Sequence, residues 1–234
     1  MARVDDSEAW RRLVSSLAQW SRMIDGSSAG MRTVERDGYI ATITPATPDR
    51  SLVNDVVYWD PAALGQQVGG IAIGVRDPDR PGTDADPEAM IVELGEIQRP
   101  PEPPGFSRDV DPLTVVRIND AAYGLPDSFQ IALADMELRD GLYVYGAGED
   151  GRVSSCLFAF DHEDDCSVWL VATLPHARGR GLAAALMAHA LADAAERGRT
   201  TSTLQATDLG RPVYERLGYR SLGEIELWES RGNP

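Results

Sequence analysis

The stretch that most constrains the fold runs from residue 166 to residue 198. It reads "CSVWLVAT", then the turn "LPHARGRG", then the alanine-rich run "LAAALMAHALADAAER" and a closing Gly198. The first part predicts a strand, and the last predicts a helix over about residues 181–197 with Gly198 at the left-handed cap position. A helix with an apolar stripe that follows a strand directly needs a sheet to pack on, so the sequence predicts an α/β fold.

The turn between this strand and this helix has the composition of an anion-binding site. A helix N-terminus presents unpaired amides and the positive end of the helix dipole. Gly179 and Gly181 leave room for a ligand to approach the backbone, and Arg178 and Arg180 add positive charge. The alternative is an exposed basic turn that only caps the helix, and a glycine-rich turn alone leaves that alternative open.

The order of predicted elements in the C-terminal half is typical of a mixed sheet with helices on its faces. "LTVVRIN" predicts a strand over residues 113–119, and helical pieces follow over residues 120–136 with a break at residues 124–126. "GLYVYGAGEDGRVSSCLFAFDHEDDCSVWLVAT" predicts three antiparallel strands, because "GEDGR" and "DHEDD" are turn sequences. After the long helix, a strand over residues 201–207, a short helix ended by Gly218 and one or two last strands complete a mixed α/β (α+β) sheet.

The N-terminal half predicts a second α/β region. A helix is expected over residues 7–23, extended segments over 31–44 and 51–60, a short helix over 61–68, and strands over 69–77 and 89–97. The proline-bearing stretch "QRPPEPPGFSRDVDP" fits neither a helix nor a central strand. We therefore predict an N-terminal domain of residues 1–100, a linker of residues 101–112 and a C-terminal domain of residues 113–234.

Composition narrows the possible partners. The net charge of −15 argues against binding nucleic acid through a positive field, and it agrees with a cationic substrate, although acidity also serves solubility alone. The absence of a long apolar run or a signal-peptide pattern predicts a cytoplasmic protein with no membrane contact. All basic residues are arginine, which is typical of a GC-rich bacterial gene. Two cysteines and three scattered histidines predict no metal site, and either a monomer or a homodimer is compatible.

The C-terminal half resembles the GNAT superfamily of N-acetyltransferases. Arg178, Gly181 and Ala183 fit the Q/R-x-x-G-x-G/A loop of that family, and the predicted element order from about residue 113 to residue 228 is similar to its fold. "GRPVYERLGY" is similar to the family's late helix, in which a tyrosine precedes a Leu-Gly-Phe/Tyr ending. The N-terminal half is similar, more weakly, to a degenerate GNAT domain without the loop; the alternative is an unrelated α/β extension that completes an acceptor pocket.

The resemblance implies acetyl-CoA as the acyl donor and assigns residues to it. The family's loop amides bind the coenzyme A pyrophosphate, and its fourth strand pairs with the pantetheine arm. Its late tyrosine protonates the departing thiolate, which falls here on Tyr214, although a packed aromatic is the alternative. Thr207 or Asp208 stands where many members have a pantetheine-binding asparagine. The implied loop and strand residues are Arg178, Gly179, Arg180, Gly181, Leu182, Ala183, Val171 and Thr173.

The acceptor and its general base are less defined. Asp120 and Tyr123 lie where family members form the acceptor side and are the candidates for the general base, although a solvated helix-capping role is the alternative for Asp120. "SVWLVAT" contains no acid, and a water chain is the alternative to a protein base. The expected activity is transfer of an acetyl group to an amine of a small molecule or peptide. An acyl-CoA-binding sensor without catalysis and an interaction protein of the same fold are the alternatives.

Overall fold

The computed structural model describes residues 3–47, 53–59, 72–74, 87–125 and 127–228. Its N-terminal elements are α1 (Asp6–Ile24), β1 (Arg32–Arg36), β2 (Tyr39–Ile43), β3 (Asp55–Tyr58), β4 (Ala72–Gly74) and β5 (Glu88–Glu93). Two helices and a strand meander follow: α2 (Pro112–Tyr123), α3 (Ser128–Ala132), β6 (Leu142–Glu149), β7 (Arg152–His162) and β8 (Asp165–Thr173). The chain continues through α4 (Leu182–Glu196), β9 (Thr201–Ala206), α5 (Arg211–Arg216), β10 (Arg220–Glu224) and β11 (Glu226–Trp228).

The larger sheet has the strand order β10-β5-β9-β8-β7-β6. β6, β7 and β8 form the predicted antiparallel meander, and α4 is the crossover that makes β8 and β9 parallel. The helix packs on this sheet through fully buried apolar side chains, as its alanine- and leucine-rich sequence requires. Those side chains include Leu186, Met187, Ala190, Leu191 and Ala194.

The smaller sheet has the order β1-β2-β3-β4-β11 and packs against α1. The predicted first helix is confirmed, and its Asp5 cap accepts a hydrogen bond from the Glu8 amide at 2.9 Å. Leu13, Leu17 and Trp20 of α1 belong to one core with Ile40 and Val57 of the sheet. The short helix predicted over residues 61–68 lies outside the described residues.

Each sheet contains a strand from the other half of the chain. β5 precedes the predicted linker, yet it lies between β9 and β10 of the larger sheet. β11 ends the described chain and pairs with β4 of the smaller sheet. The domain boundary at residues 101–112 therefore stays a prediction. The two sheets do not separate at that boundary, because each contains a strand from the other side of it.

The proline-rich segment lies along the edge of β6. Ser107 and Gly146 exchange backbone hydrogen bonds of 2.9 and 3.0 Å, and the Gly148 amide donates to the Pro104 carbonyl at 2.9 Å. A Cβ on Gly105 would lie 2.5 Å from the Gly148 carbonyl oxygen, so the close approach requires glycine there. The predicted linker is therefore docked on the sheet and covers its β6 edge.

The strand predicted over residues 113–119 is wrong, because these residues belong to α2. Val115 and Val116 favoured a strand by their β-branched side chains. Asp111 accepts a hydrogen bond from the Leu113 amide at 3.1 Å, and Pro112 begins the helix where no amide is needed. Gly124, at φ 67°, ends it in the left-handed conformation, which agrees with the break predicted at residues 124–126.

Candidate functional site

An opening in the larger sheet begins at a bulge in β8. Cys156 of β7 is paired with Ala172, but Phe158 is paired with Trp169, so β8 has one residue more than β7 over this interval. Leu170 absorbs the extra length at φ 49°. The parallel pairing of β8 with β9 extends only from Asp165 to Val168. Beyond the bulge, the two strands have no ladder pairs, so the β9-facing side of β8 is available to a ligand.

The backbone of Val171 and Thr173 faces this opening. The Leu174 amide donates to the Ser154 carbonyl at 2.8 Å, so it is directed toward β7. Because backbone groups alternate along a strand, those of Thr173 and Val171 are directed the other way. The Thr173 carbonyl accepts a hydrogen bond from Arg178 Nε at 3.1 Å, which agrees with that direction. The structure therefore puts both predicted strand residues at the opening.

The turn into α4 presents a set of backbone amides. Gly179 and Gly181 have φ angles of 73° and 75°, which favour glycine, and a Cβ on either would meet nothing within 4 Å. Ala185 is the first amide with a helical partner, the Gly181 carbonyl at 3.0 Å. The first turn of α4 has no acidic residue and no side-chain cap. The amides of Leu182 and Ala183 therefore lie at the positive end of a well-packed helix without a competing anion.

One cavity of about 410 Å³ joins the strand opening to this turn. It brings together most of the predicted site: Tyr123, Val171, Thr173, Arg178, Gly179, Arg180, Gly181, Leu182, Ala183 and Tyr214. It also contains residues that the sequence analysis missed: Ala122, Ala172, Ala177, Ala184, Leu209, Gly210, Val213 and Arg216. The missed residues lie close in sequence to the predicted ones. Extending each predicted segment by a few residues would have included them.

Tyr214 lies on α5 with its ring packed into the wall of the cavity. Its side chain is almost fully buried, and burial raises the pKa of its hydroxyl, with the nearby Tyr123 adding to the effect. The hydroxyl is therefore protonated at neutral pH and can serve as a proton donor. Gly210 makes the packing possible, since a Cβ there would lie 2.8 Å from the Tyr214 ring.

The two arginines of the turn have different partners. Arg178 donates from Nη2 to the Ala122 carbonyl at 2.6 Å, in addition to its bond with Thr173. Arg180 forms an exposed ion pair with Glu149, the last residue of β6. Both guanidinium groups therefore have protein partners, so the anion-binding character of the turn rests chiefly on its backbone amides.

Asp120 does not occupy the substrate position predicted for it. Its carboxylate is buried and accepts hydrogen bonds from the amides of Phe129 at 3.2 Å and Gln130 at 3.0 Å. It thereby caps the short helix α3, which agrees with the capping role offered as the alternative, although the carboxylate is buried and not solvated. Asp120 is not among the residues that line the cavity. The assignment to the acceptor side is corrected for this reason.

Tyr123 and Thr207 lie across the opening from each other. Tyr123 ends α2 and is 45% exposed, and it lines the cavity. Desolvation raises the pKa of its hydroxyl, while a side-chain hydrogen bond with Thr207 and the charge of Arg178 lower it. Thr207 follows β9 and is not itself among the lining residues. The cofactor contact of Thr207 stays a prediction.

Other candidate centres are sparse in the described part of the chain. Across residues 3–47, 53–59, 72–74, 87–125 and 127–228, no group of three or more His, Cys, Asp and Glu side chains is placed to hold a metal ion. No helix within those ranges combines the length and the apolar character that crossing a membrane requires. His189, one of the three scattered histidines, is buried, with its ring centroid 4.5 Å from that of Phe106.

Comparisons with known proteins agree with this geometry. Residues 140–221 match the family model of the acetyltransferase (GNAT) domain. A GCN5-related N-acetyltransferase from Kribbella flavida is similar over 94% of this chain and 95% of its own, with 19% identity and a TM-score of 0.63. One from Sphaerobacter thermophilus is similar over 96% and 92%, with 14% identity and a TM-score of 0.55. At these identities the structural likeness establishes the fold, and no curated protein sequence matches the chain.

Proposed function

Residues 140–221 of this acetyltransferase are a GNAT domain, and on that premise we propose that the protein transfers an acetyl group from acetyl-CoA to an amine. The acceptor is an amine of a small molecule or peptide. The observation that carries the proposal is the single cavity in which the open side of β8, the N-terminus of α4 and Tyr214 meet. A thioester with a long arm and a pyrophosphate needs these three features in that order.

The backbone supplies the contacts for the donor. The amides of residues 179–183 receive the pyrophosphate oxygens at the positive end of α4. The pantetheine arm runs along the unpaired side of β8, where Val171 and Thr173 present their backbone groups. Alanine at position 183 and glycine at positions 179 and 181 keep side chains away from the phosphate. Binding is therefore expected without a metal ion.

The reaction is a direct attack by the neutral amine on the thioester carbonyl carbon. A C–N bond forms, the C–S bond breaks, and the electron pair of that bond leaves on the sulfur. The Tyr214 hydroxyl protonates the thiolate as it departs, and the amine releases its own proton through water. The amides of β8 near Val171 stabilise the developing oxyanion. From Ser167 to Thr173, β8 has no carboxylate to act as base, which leaves the water path.

The N-terminal half is proposed to be a degenerate copy of the same domain. The pairing of β1, β2, β3, β4 and β11 is antiparallel, antiparallel, parallel and antiparallel. The pairing of β6, β7, β8, β9 and β5 follows the same sequence. The shared pairing pattern supports the proposal that the N-terminal half is a GNAT-like domain without a donor site. We propose that it shapes the acceptor side of the C-terminal half.

Tyr214→Phe tests the proposal. Coenzyme A release is measured from acetyl-CoA with a library of amines, and the best acceptor is used for steady-state kinetics. Loss of the hydroxyl leaves the ring and its packing, so the turnover number should fall by roughly a hundredfold while acetyl-CoA affinity changes little. An unchanged turnover number would remove Tyr214 from the reaction.

Tyr219→Phe is the matched control. Its hydroxyl lies 2.7 Å from Ser202 Oγ, its ring centroid is 5.9 Å from that of Tyr214, and it does not line the cavity. It should lose stability without losing turnover. No coenzyme A release with any amine, from a parent protein that binds acetyl-CoA, would favour the acyl-CoA-binding sensor instead.

A further inference from the structure

We infer that Arg178 is a positioning residue: its guanidinium fixes the last turn of α2, and with it Tyr123, against the acetyl-CoA cavity. This inference rests on the proposed function for its ligand. In this role Arg178, the first residue of the loop, orients α2 and does not mainly supply positive charge to the pyrophosphate.

The geometry of the two hydrogen bonds carries the inference. Arg178 Nη2 donates to the Ala122 carbonyl at 2.6 Å, and Nε donates to the Thr173 carbonyl at 3.1 Å. Ala122 lies in the last turn of α2, where helix carbonyls have no amide partner of their own. Thr173 is the last residue of β8. One planar side chain therefore joins the end of a helix to the end of the strand that flanks the opening.

The charge of Arg178 is suited to this position. A cation at the C-terminal end of a helix is stabilised by the helix dipole. A guanidinium can donate to two carbonyls in a fixed plane, which an ammonium cannot do. A backbone hydrogen bond closes the same turn: the Leu125 amide donates to the Asp120 carbonyl at 2.8 Å. The last turn of α2 is thus held from the Arg178 side and from its own cap.

The consequence for the site comes through the next residue. Tyr123 follows Ala122 and lines the cavity, and an interaction with Thr207, which follows β9, lowers the pKa of its hydroxyl against the larger effect of desolvation. Arg178 therefore links Thr173 at the end of β8 to Ala122, the residue before Tyr123. Acetyl-CoA enters between β8 and β9, so the position of Tyr123 decides how well the cavity fits it.

Arg180 provides the internal comparison. It belongs to the same turn and carries the same charge, but it pairs with Glu149 on the surface and bonds to neither α2 nor β8. A role in attracting the anionic donor predicts similar effects for both arginines. A positioning role predicts that only Arg178 affects α2.

The experiment compares Arg178→Met, Arg178→Lys and Arg180→Met with the parent. Hydrogen exchange of the Gly124 and Leu125 amides is measured in the ligand-free proteins, because both amides bond to the Asp120 carbonyl in the cap of α2. Arg178→Met should accelerate their exchange by about tenfold, the scale of one charge-assisted hydrogen bond. Arg178→Lys should accelerate it as well, since a single ammonium nitrogen does not reproduce the separate Nη2 and Nε positions that meet the two carbonyls. Arg180→Met should leave the exchange unchanged.

Calorimetric titration with acetyl-CoA gives the second arm. Arg178→Met should weaken binding by about tenfold, and Tyr123→Phe should then add no further loss in that background. In the Arg180→Met background, Tyr123→Phe should keep the effect that it has in the parent. Rescue of affinity by Arg178→Lys, or equal losses in Arg178→Met and Arg180→Met, would overturn the inference. A parent that does not bind acetyl-CoA would contradict the proposed function, and the exchange arm would still decide whether Arg178 holds α2.

Discussion

The two sheets share a pairing pattern and differ in what connects their parallel strands. In the larger sheet, residues 174–200 connect β8 to β9 and contain the glycine–arginine turn and α4. In the smaller sheet, residues 59–71 connect β3 to β4, which is less than half as many, and they include no arginine. The two sheets therefore have the same pairing pattern although the connections between their parallel strands differ in length and sequence, and we propose the donor site only for the longer connection.

The equivalent strands β3 and β8 begin alike. Each begins with a buried aspartate, Asp55 or Asp165, and each has a tryptophan four positions later, Trp59 or Trp169. Asp165 accepts hydrogen bonds from Thr201 at 2.7 Å and Thr203 at 2.5 Å, and from a third hydroxyl on α1. The Asp55 Oδ1 atom has no hydrogen-bond partner among the described residues.

The two tryptophans also differ in burial, and the one in the larger sheet is the more buried. Trp169 is 8% exposed and stacks on Trp20 of α1, with ring centroids 4.5 Å apart and an angle of 9° between the rings. Trp59 is 44% exposed. In the larger sheet the aspartate accepts three hydroxyl hydrogen bonds and the tryptophan is packed. In the smaller sheet one oxygen of the aspartate has no hydrogen-bond partner among the described residues, and the tryptophan is partly exposed.

The largest effect is expected from Gly181→Glu, which tests whether the site depends on the crossover. The Glu side chain would project into the open space beside the amides and repel the pyrophosphate. Calorimetry with acetyl-CoA should show a loss of at least about a thousandfold, or roughly 4 kcal/mol. Gly181→Ala is the control, because it has the same left-handed strain and no charge; equal losses in the two would assign the effect to strain.

A smaller effect is expected when the two tryptophans are truncated. Trp169→Ala removes a buried stacked ring and should lower the free energy of unfolding by about 3 kcal/mol. Trp59→Ala should cost less than about 1 kcal/mol, since much of its side chain is already in water. Urea unfolding of both variants measures the difference. Similar costs would show that the two sheets are packed equally well at this position.

The smallest effect concerns pH and the buried carboxylate of Asp55. Burial raises the pKa of Asp55 to about 7 from 3.8, so the unfolded chain loses this proton before the folded protein does. Asp55 therefore reduces stability as the pH rises from about 4 to 7 and adds no further slope above that range. Relative to the parent, Asp55→Asn should gain roughly 2 kcal/mol between pH 4 and pH 8, below the full pKa difference because the site relaxes around a buried charge.

Asp165→Asn is the comparison for that measurement. Burial raises the pKa of Asp165 to about 6, against the opposing hydrogen bonds from Thr203, Thr201 and Ser16. Its gain relative to the parent should end near pH 6 rather than near pH 7. Urea unfolding at several pH values gives both curves. A flat difference between Asp55→Asn and the parent would contradict a protonated Asp55.

Much of the C-terminal half could be predicted from the sequence, because its signals are local. The meander turns, the helix closed by Gly198 and the loop from Arg178 to Ala183 lie in continuous segments with the right periodicity or composition. The same local reasoning failed at residues 113–119, where valines favoured a strand and the cap at Asp111 and Pro112 decided for a helix. It also left Asp120 open between capping and substrate binding, which only the position of α3 resolves.

The relations between distant residues could not be predicted. The insertion of β5 between β9 and β10 joins strands separated by more than a hundred residues, and no local pattern encodes it. The two bonds of Arg178 depend on where α2 ends relative to β8. The opening between β8 and β9 depends on a single bulge at Leu170, a residue with no glycine-like signal in the sequence.

Titration of the parent protein with acetyl-CoA by calorimetry, with and without a chelator, tests the central claim most directly. The claim is that only the larger sheet holds the donor, through the backbone amides at the start of α4. We expect one site per chain, unchanged by the chelator and lost in Gly181→Glu. Two sites per chain, binding that survives Gly181→Glu, or no binding at millimolar acetyl-CoA would contradict it.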